Sequence, residues 1–135
     1  MSSRPPYKHT RHFDLEEARR ILPEVRRLLK VGVELRRKLE EMNFEPTGKM
    51  ELIARGVAKN GRPFPPEAIQ LASIIHRFEE LGVALRDLRV GICDFPALRP
   101  SGEEVYLCYR LGEPDIGFFH GLEDGFAGRR PLEEF

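Results

Sequence analysis

After Arg89 the apolar residues of this chain change period, and that change fixes what each part can become. Before it they recur at steps of three and four, the spacing of one helix face. Ala18, Ile21, Val25, Leu28, Gly32, Leu35, Leu39 and Met42 form one seam, and Ala68, Leu71, Ile75, Phe78, Gly82 and Leu85 a second. After it the apolar residues alternate, as in a strand with one buried face. The pattern predicts an α+β fold: a long two-helix antiparallel hairpin, then a small three-stranded antiparallel sheet near the C-terminus.

Local signals set the boundaries. Residues 1–12 hold Pro5-Pro6, several basic side chains and little to bury, so they read as a mobile basic arm ahead of one domain over 13–135. Asp14 with Glu17 three positions on is a capping box, opening a helix over 14–42. The stretch 43–66 carries seven Pro and Gly residues (46, 48, 56, 61, 63, 65 and 66) and reads as a long connection, with space for one short helix over Lys49–Ala58. Pro66 suits a first helical position, and the second helix is expected over 67–89. Antiparallel pairing of the seams would set Gly32 against Gly82, a spacing that suggests a close helix crossing. Strands are expected near 91–98, 104–111 and 116–120, with a C-terminal strap over 121–135. Arg99-Pro-Ser-Gly102 provides the first turn and Gly112-Glu-Pro-Asp115 the second.

Charge and composition narrow the function classes. Twenty-two basic residues balance 22 acidic ones, which argues against broad electrostatic binding to nucleic acid. No stretch approaches the roughly 18 apolar residues of a membrane span. Two cysteines without an export signal point to reduced thiols in the cytoplasm.

The turns imply a register. Closing the first between Arg99 and Glu103 sets Asp94 opposite Cys108 and Cys93 opposite Tyr109. Closing the second between Leu111 and Ile116 sets Leu107 opposite His120 and Tyr109 opposite Phe118. The outer face then carries Asp94, Tyr106, Cys108, Arg110 and Phe119, with Asp94 and Arg110 as diagonal neighbours able to pair. The two cysteines face opposite ways, which argues against a disulfide, and His120 faces the core.

Flat apolar surface beside a paired charge is the makeup of a ligand-binding face. Asp94, Tyr106, Cys108, Arg110 and Phe119 are therefore the candidate ligand residues. Arg129 joins them, because Gly125-Phe-Ala-Gly128-Arg129 could cradle an anion with bare amides and a guanidinium. Glu113, His120 and Glu123 are the side chains a divalent metal would take, although their spacing matches no compact ligand motif. A catalytic thiol at Cys108 is disfavoured, since Asp94 opposite it would raise its pKa.

The assembled residues resemble a bacterial family, the domain-of-unknown-function family 2203. The likeness rests on Phe13-Asp-Leu-Glu-Glu-Ala18, Leu22-Pro23, Gly91-Ile-Cys-Asp-Phe-Pro-Ala97, Leu107-Cys-Tyr-Arg-Leu-Gly-Glu113, Phe119-His120 and Gly125-Phe-Ala-Gly-Arg129. Tyr109 and Phe119 stand where the family pattern would place Trp, and Gly121 where it would place Asp. The resemblance implies a small bacterial protein and brings no activity with it.

Two function classes follow. The first is a non-enzymatic binding or assembly module, a homodimer through its helices, with a site for a small anionic ligand or a protein partner on the sheet. The second is a small metal- or anion-dependent enzyme using Asp94, Glu113, His120, Glu123 and Arg129.

Overall fold

The computed structural model describes residues 6–44 and 64–135. Most of the expected 43–66 connection lies outside the described residues. Helix α1 spans Leu15–Glu41, opened by the Asp14–Glu17 capping box and continuous through Pro23. Helix α2 spans Pro66–Leu81, with Pro66 in its first turn. Five strands follow: β1 Ala84–Asp87, β2 Ile92–Leu98, β3 Glu104–Arg110, β4 Phe118–Gly121 and β5 Arg130–Pro131. They form one antiparallel sheet in chain order, and short 3-10 turns flank β5.

The α+β class and the meander at its centre are as the periodicity predicts. The strand count is not, because two outer strands come from segments read otherwise. The second helix stops at Leu81 rather than 89, since Gly82 takes a left-handed conformation (φ 77°) and caps it. The chain then turns back, and Ala84–Asp87 pairs with β2. Leu85 continued the helical spacing by coincidence. At the other end, Arg130–Pro131 of the expected strap pairs with β4.

Gly82 is therefore no crossing partner for Gly32. A Cβ added at Gly32 would meet Leu88, Ile74 and Leu71, so Gly32 makes room for the segment between β1 and β2.

The first hairpin has the expected register, with Cys93 opposite Tyr109 and Asp94 opposite Cys108. The second is shifted by one residue. Leu107 lies opposite Phe119, not His120, and Cys108 opposite Phe118. A one-residue slip exchanges the faces of a whole strand. Phe119 thus moves to the inner face and His120 to the outer one. The cause is the turn, where the chain runs on to Gly117 before β4 begins, rather than pairing from Ile116.

Cys93, Phe95, Ala97, Val105, Leu107, Tyr109 and Phe119 share one hydrophobic cluster with Leu22, Val25, Leu29, Leu71 and Phe78 of the helices. Tyr106 and Cys108 are equally buried but lie outside it. Both cysteines are free, one on each face of the sheet.

Candidate functional site

The outer face of the sheet brings together one charged set. Asp94 comes from β2, Tyr106 and Cys108 from β3 and His120 from β4, and each is no more than 3 % exposed. Arg86 of β1 reaches over them, its Nε donating to Asp94 Oδ2 at 2.9 Å and its guanidinium lying 4.8 Å from the centre of the Tyr106 ring.

His120 Nδ1 lies 2.8 Å from the Gly121 carbonyl and Nε2 lies 3.0 Å from Asp94 Oδ1. A carbonyl only accepts, so Nδ1 carries a hydrogen. An ionised carboxylate also only accepts, so Nε2 must carry a second hydrogen or share a cation with Oδ1. The ionisation of both groups agrees. Burial pulls the His120 imidazole down, but the bonds to Asp94 and to the Gly121 carbonyl outweigh it and hold its pKa above the ordinary value. Burial likewise pushes Asp94 up, and the donors His120 and Arg86 more than offset it, leaving the carboxyl below its usual range.

Cys108 completes the centre. Burial, and then the charge of Asp94, push its thiol far above the ordinary value, so it rests as a neutral S–H beside the carboxylate. One ligand atom each from Asp94, Cys108 and His120 lie within 4.8 Å of one another.

Chain ends rather than helices lie over this face. Tyr106 Oη and His9 Nε2 are 2.6 Å apart. Burial lowers the His9 pKa despite Glu104, and the ring shares this hydrogen bond with the tyrosine hydroxyl. The Glu104 carboxylate accepts from the Lys8 and His9 amides at 2.8 and 2.9 Å and pairs with His12 Nε2 at 2.8 Å. Residues 7–12, read from the sequence as a loose arm, are docked along the sheet by these bonds. At the other end Arg129 lies between the Phe118 and Phe126 rings, its guanidinium carbon 3.9 and 4.5 Å from their centres. Arg129 also pairs with Glu113 at 2.5 Å, yet its buried Nε has no hydrogen-bond partner among the described residues.

The clamp on the arm is sensitive to acid. Burial pushes the Glu104 carboxyl up, but the His12 ring and the two arm amides outweigh this and lower its pKa below 4.5. A depressed carboxyl contributes stability above its unfolded pKa and loses it as pH falls through the folded one. Wild type should therefore exceed Glu104→Gln in stability at neutral pH, with the gap closing once the pH drops well below 4.5. Thermal melts of both proteins across that range measure it.

Of the residues singled out in the sequence, Asp94, Tyr106 and Cys108 meet as expected, and the charge of Arg129 reaches Cys108. Arg110 does not pair with Asp94. It is exposed, with its amide on Glu113 and its guanidinium 5.9 Å from the Phe126 ring. Asp94 is held by Arg86 and His120 instead. Phe119 leaves the outer face and packs edge-on against Phe135. Glu113, His120 and Glu123 are not gathered into one metal set. Glu113 is taken by Arg129, and His120 bonds the Gly121 carbonyl and Asp94. Sequence reasoning missed Arg86, His9, His12 and Glu104. The cap signal at Gly82, followed by the alternation of Val83-Ala-Leu-Arg-Asp87, was the clue to Arg86.

These features define an α+β protein with a buried ionic centre on the side of the sheet away from the helices. The chain belongs to the uncharacterized conserved protein family DUF2203, whose model matches residues 11–132. No curated protein and no solved structure is significantly similar to it. Among the described residues, no helix is long and apolar enough to cross a membrane.

Proposed function

We propose that the chain is a non-enzymatic binding module of the bacterial cytoplasm, and that its ligand site is the outer face of the sheet beneath the arm and the strap. One observation carries this reading. Strands β2 and β3 are buried on both faces, and the face away from the hydrophobic cluster is polar, ionic and roofed by chain ends. A roof of this kind opens at a lower free energy than a helix packed on a core. The unpartnered Arg129 Nε adds support, because a buried donor without an acceptor costs about 1–3 kcal/mol, which an incoming acidic group would relieve.

Native mass spectrometry of gently purified protein, with elemental analysis, tests the reading. A retained ion or small molecule, reduced in Arg129→Gln, is the expected result. Protein that is empty by both measures, with arm amides exchanging no faster than those of β3, would contradict it.

The homodimer through the helices is part of the same proposal. Its support is Ile69, half exposed on α2, together with Met42 at the end of α1. Sedimentation should give a dimer at micromolar concentration, and a monomer there would reject this part alone.

A further inference from the structure

We propose that Asp94 Oδ1, Cys108 Sγ and His120 Nε2 form a three-ligand site for a zinc-class divalent ion. The inference deepens the binding-module reading and rests on it.

The donor set is the first argument. A thiol, an imidazole and a carboxylate come from three adjacent strands, all to the same side of the sheet, and lie within 4.8 Å of one another. At ordinary zinc bond lengths, ligand atoms of a tetrahedral site stand about 3.3–3.6 Å apart. The widest pair therefore needs to close by only about 1 Å, and Nε2 and Oδ1 to open slightly from 3.0 Å, both within reach of side-chain adjustment at those bond lengths. Sulfur and imidazole together select zinc and its neighbours over magnesium or calcium, which take oxygen ligands.

The surrounding bonds are the second argument, and they do not depend on the first. The histidine and the aspartate each have their other polar atom occupied. Gly121 O accepts from His120 Nδ1, which leaves Nε2 as the atom presented to the centre. Arg86 Nε holds Asp94 Oδ2, which leaves Oδ1. Partners of this kind orient metal ligands and fix the imidazole tautomer. In the metal-free centre Nε2 donates to Oδ1 at 3.0 Å, and removal of that proton leaves two acceptors facing one another for a divalent ion to join. Binding replaces the Cys108 thiol proton and the proton on His120 Nε2 with the ion, and both protons pass to solvent. Three protein ligands leave a fourth position for water or an exogenous group, the arrangement of a zinc ion that meets a ligand rather than one that only staples a fold.

Cys93 supplies an internal control. It is as buried as Cys108 but lies on the opposite face, among the helix contacts.

The experiment is equilibrium dialysis of chelator-stripped protein against Zn²⁺, with Co²⁺ as a spectroscopic probe. About one zinc per chain is expected, and a thiolate-to-cobalt charge-transfer band with the intense visible absorption of a tetrahedral ion. Cys108→Ser should abolish the band, and both it and His120→Gln should weaken zinc binding by at least 10–100-fold, roughly the loss known for orienting partners alone. Cys93→Ala should keep band and affinity. A six-coordinate, sulfur-free cobalt spectrum of the wild type would overturn the proposal whether or not the variants fold. So would zinc binding undiminished in Cys108→Ser and His120→Gln. Native mass spectra separate the two levels of inference. An organic anion retained through Arg129, with no thiolate–metal signal, overturns the metal site and leaves the binding module standing. A protein that retains nothing, takes up no zinc on dialysis and shows arm amides exchanging no faster than those of β3 contradicts both.

Discussion

Asp94→Ala should be among the most damaging single substitutions in this protein, lowering stability by about 3–5 kcal/mol, the usual cost of removing one partner of a buried ion pair. Asp94 is 2 % exposed and carries the only negative charge within the cluster it forms with Arg86, His120 and Cys108. Its loss strands a buried imidazole whose second nitrogen then has no acceptor. Arg86 is 42 % exposed along its side chain and can turn to water, so His120 bears most of the penalty. Coupling is the sharper readout. The double variant Asp94→Ala/His120→Ala should cost less than the sum of the single changes, whereas Asp94→Ala/Arg110→Ala should be additive. Urea titrations of the four-member cycles measure both. The opposite pattern would mean that Asp94 pairs with Arg110 and that the outer face is built otherwise.

Phe95→Ala is expected to cost a similar amount, about 3–5 kcal/mol, for an unrelated reason: truncating a buried aromatic leaves a cavity. Phe95 is fully buried on the inner face, and Phe13 packs edge-on against it with ring centres 5.4 Å apart. The Phe13 amide donates to the Pro96 carbonyl at 2.7 Å, where β1 has already ended and β2 would otherwise be an open edge. Loss of the Phe95 ring should therefore loosen the start of α1 and the arm as well as the core. The urea midpoint should fall sharply, and hydrogen exchange should quicken at Phe13. A loss under about 1 kcal/mol would show that the site collapses around the smaller side chain and that the core is less well packed than described.

The helices and the first hairpin were legible in the sequence because local chemistry decides them. Asp14 and Glu17 satisfy each other's backbone at the start of α1. Gly102 donates to the Arg99 carbonyl in the first turn, and that turn sets Asp94 against Cys108. The second hairpin was not legible, because nothing local distinguishes pairing from Ile116 from pairing two residues later. The backbone between Arg110 and Phe118 makes that choice. The Glu113 amide returns to the Arg110 carbonyl, the Glu113 carboxylate caps the Arg110 amide, and the Gly117 carbonyl receives the Leu132 amide from the strap. One residue of slip carried His120 from the expected core face into the ionic centre. There its Nδ1 donates to the carbonyl of the next residue, Gly121. Arg86 was hidden for a different reason: Leu85 extended a helical seam that Gly82 had already closed. The arm was discounted because Pro5-Pro6 and basic residues bury little, yet Glu104 needs only two backbone amides and one imidazole to hold it.

The account turns on His120 facing Asp94 across the outer sheet. Nuclear magnetic resonance of the metal-free protein, labelled in its histidine rings, tests that most directly. The predicted result is a His120 ring with cross-relaxation to Tyr106, both nitrogens protonated at mildly acidic pH, and a titration midpoint above the ordinary histidine value that drops in Asp94→Asn. A ring in contact with Leu107 and Phe95, titrating at or below the ordinary value and indifferent to Asp94→Asn, would contradict it.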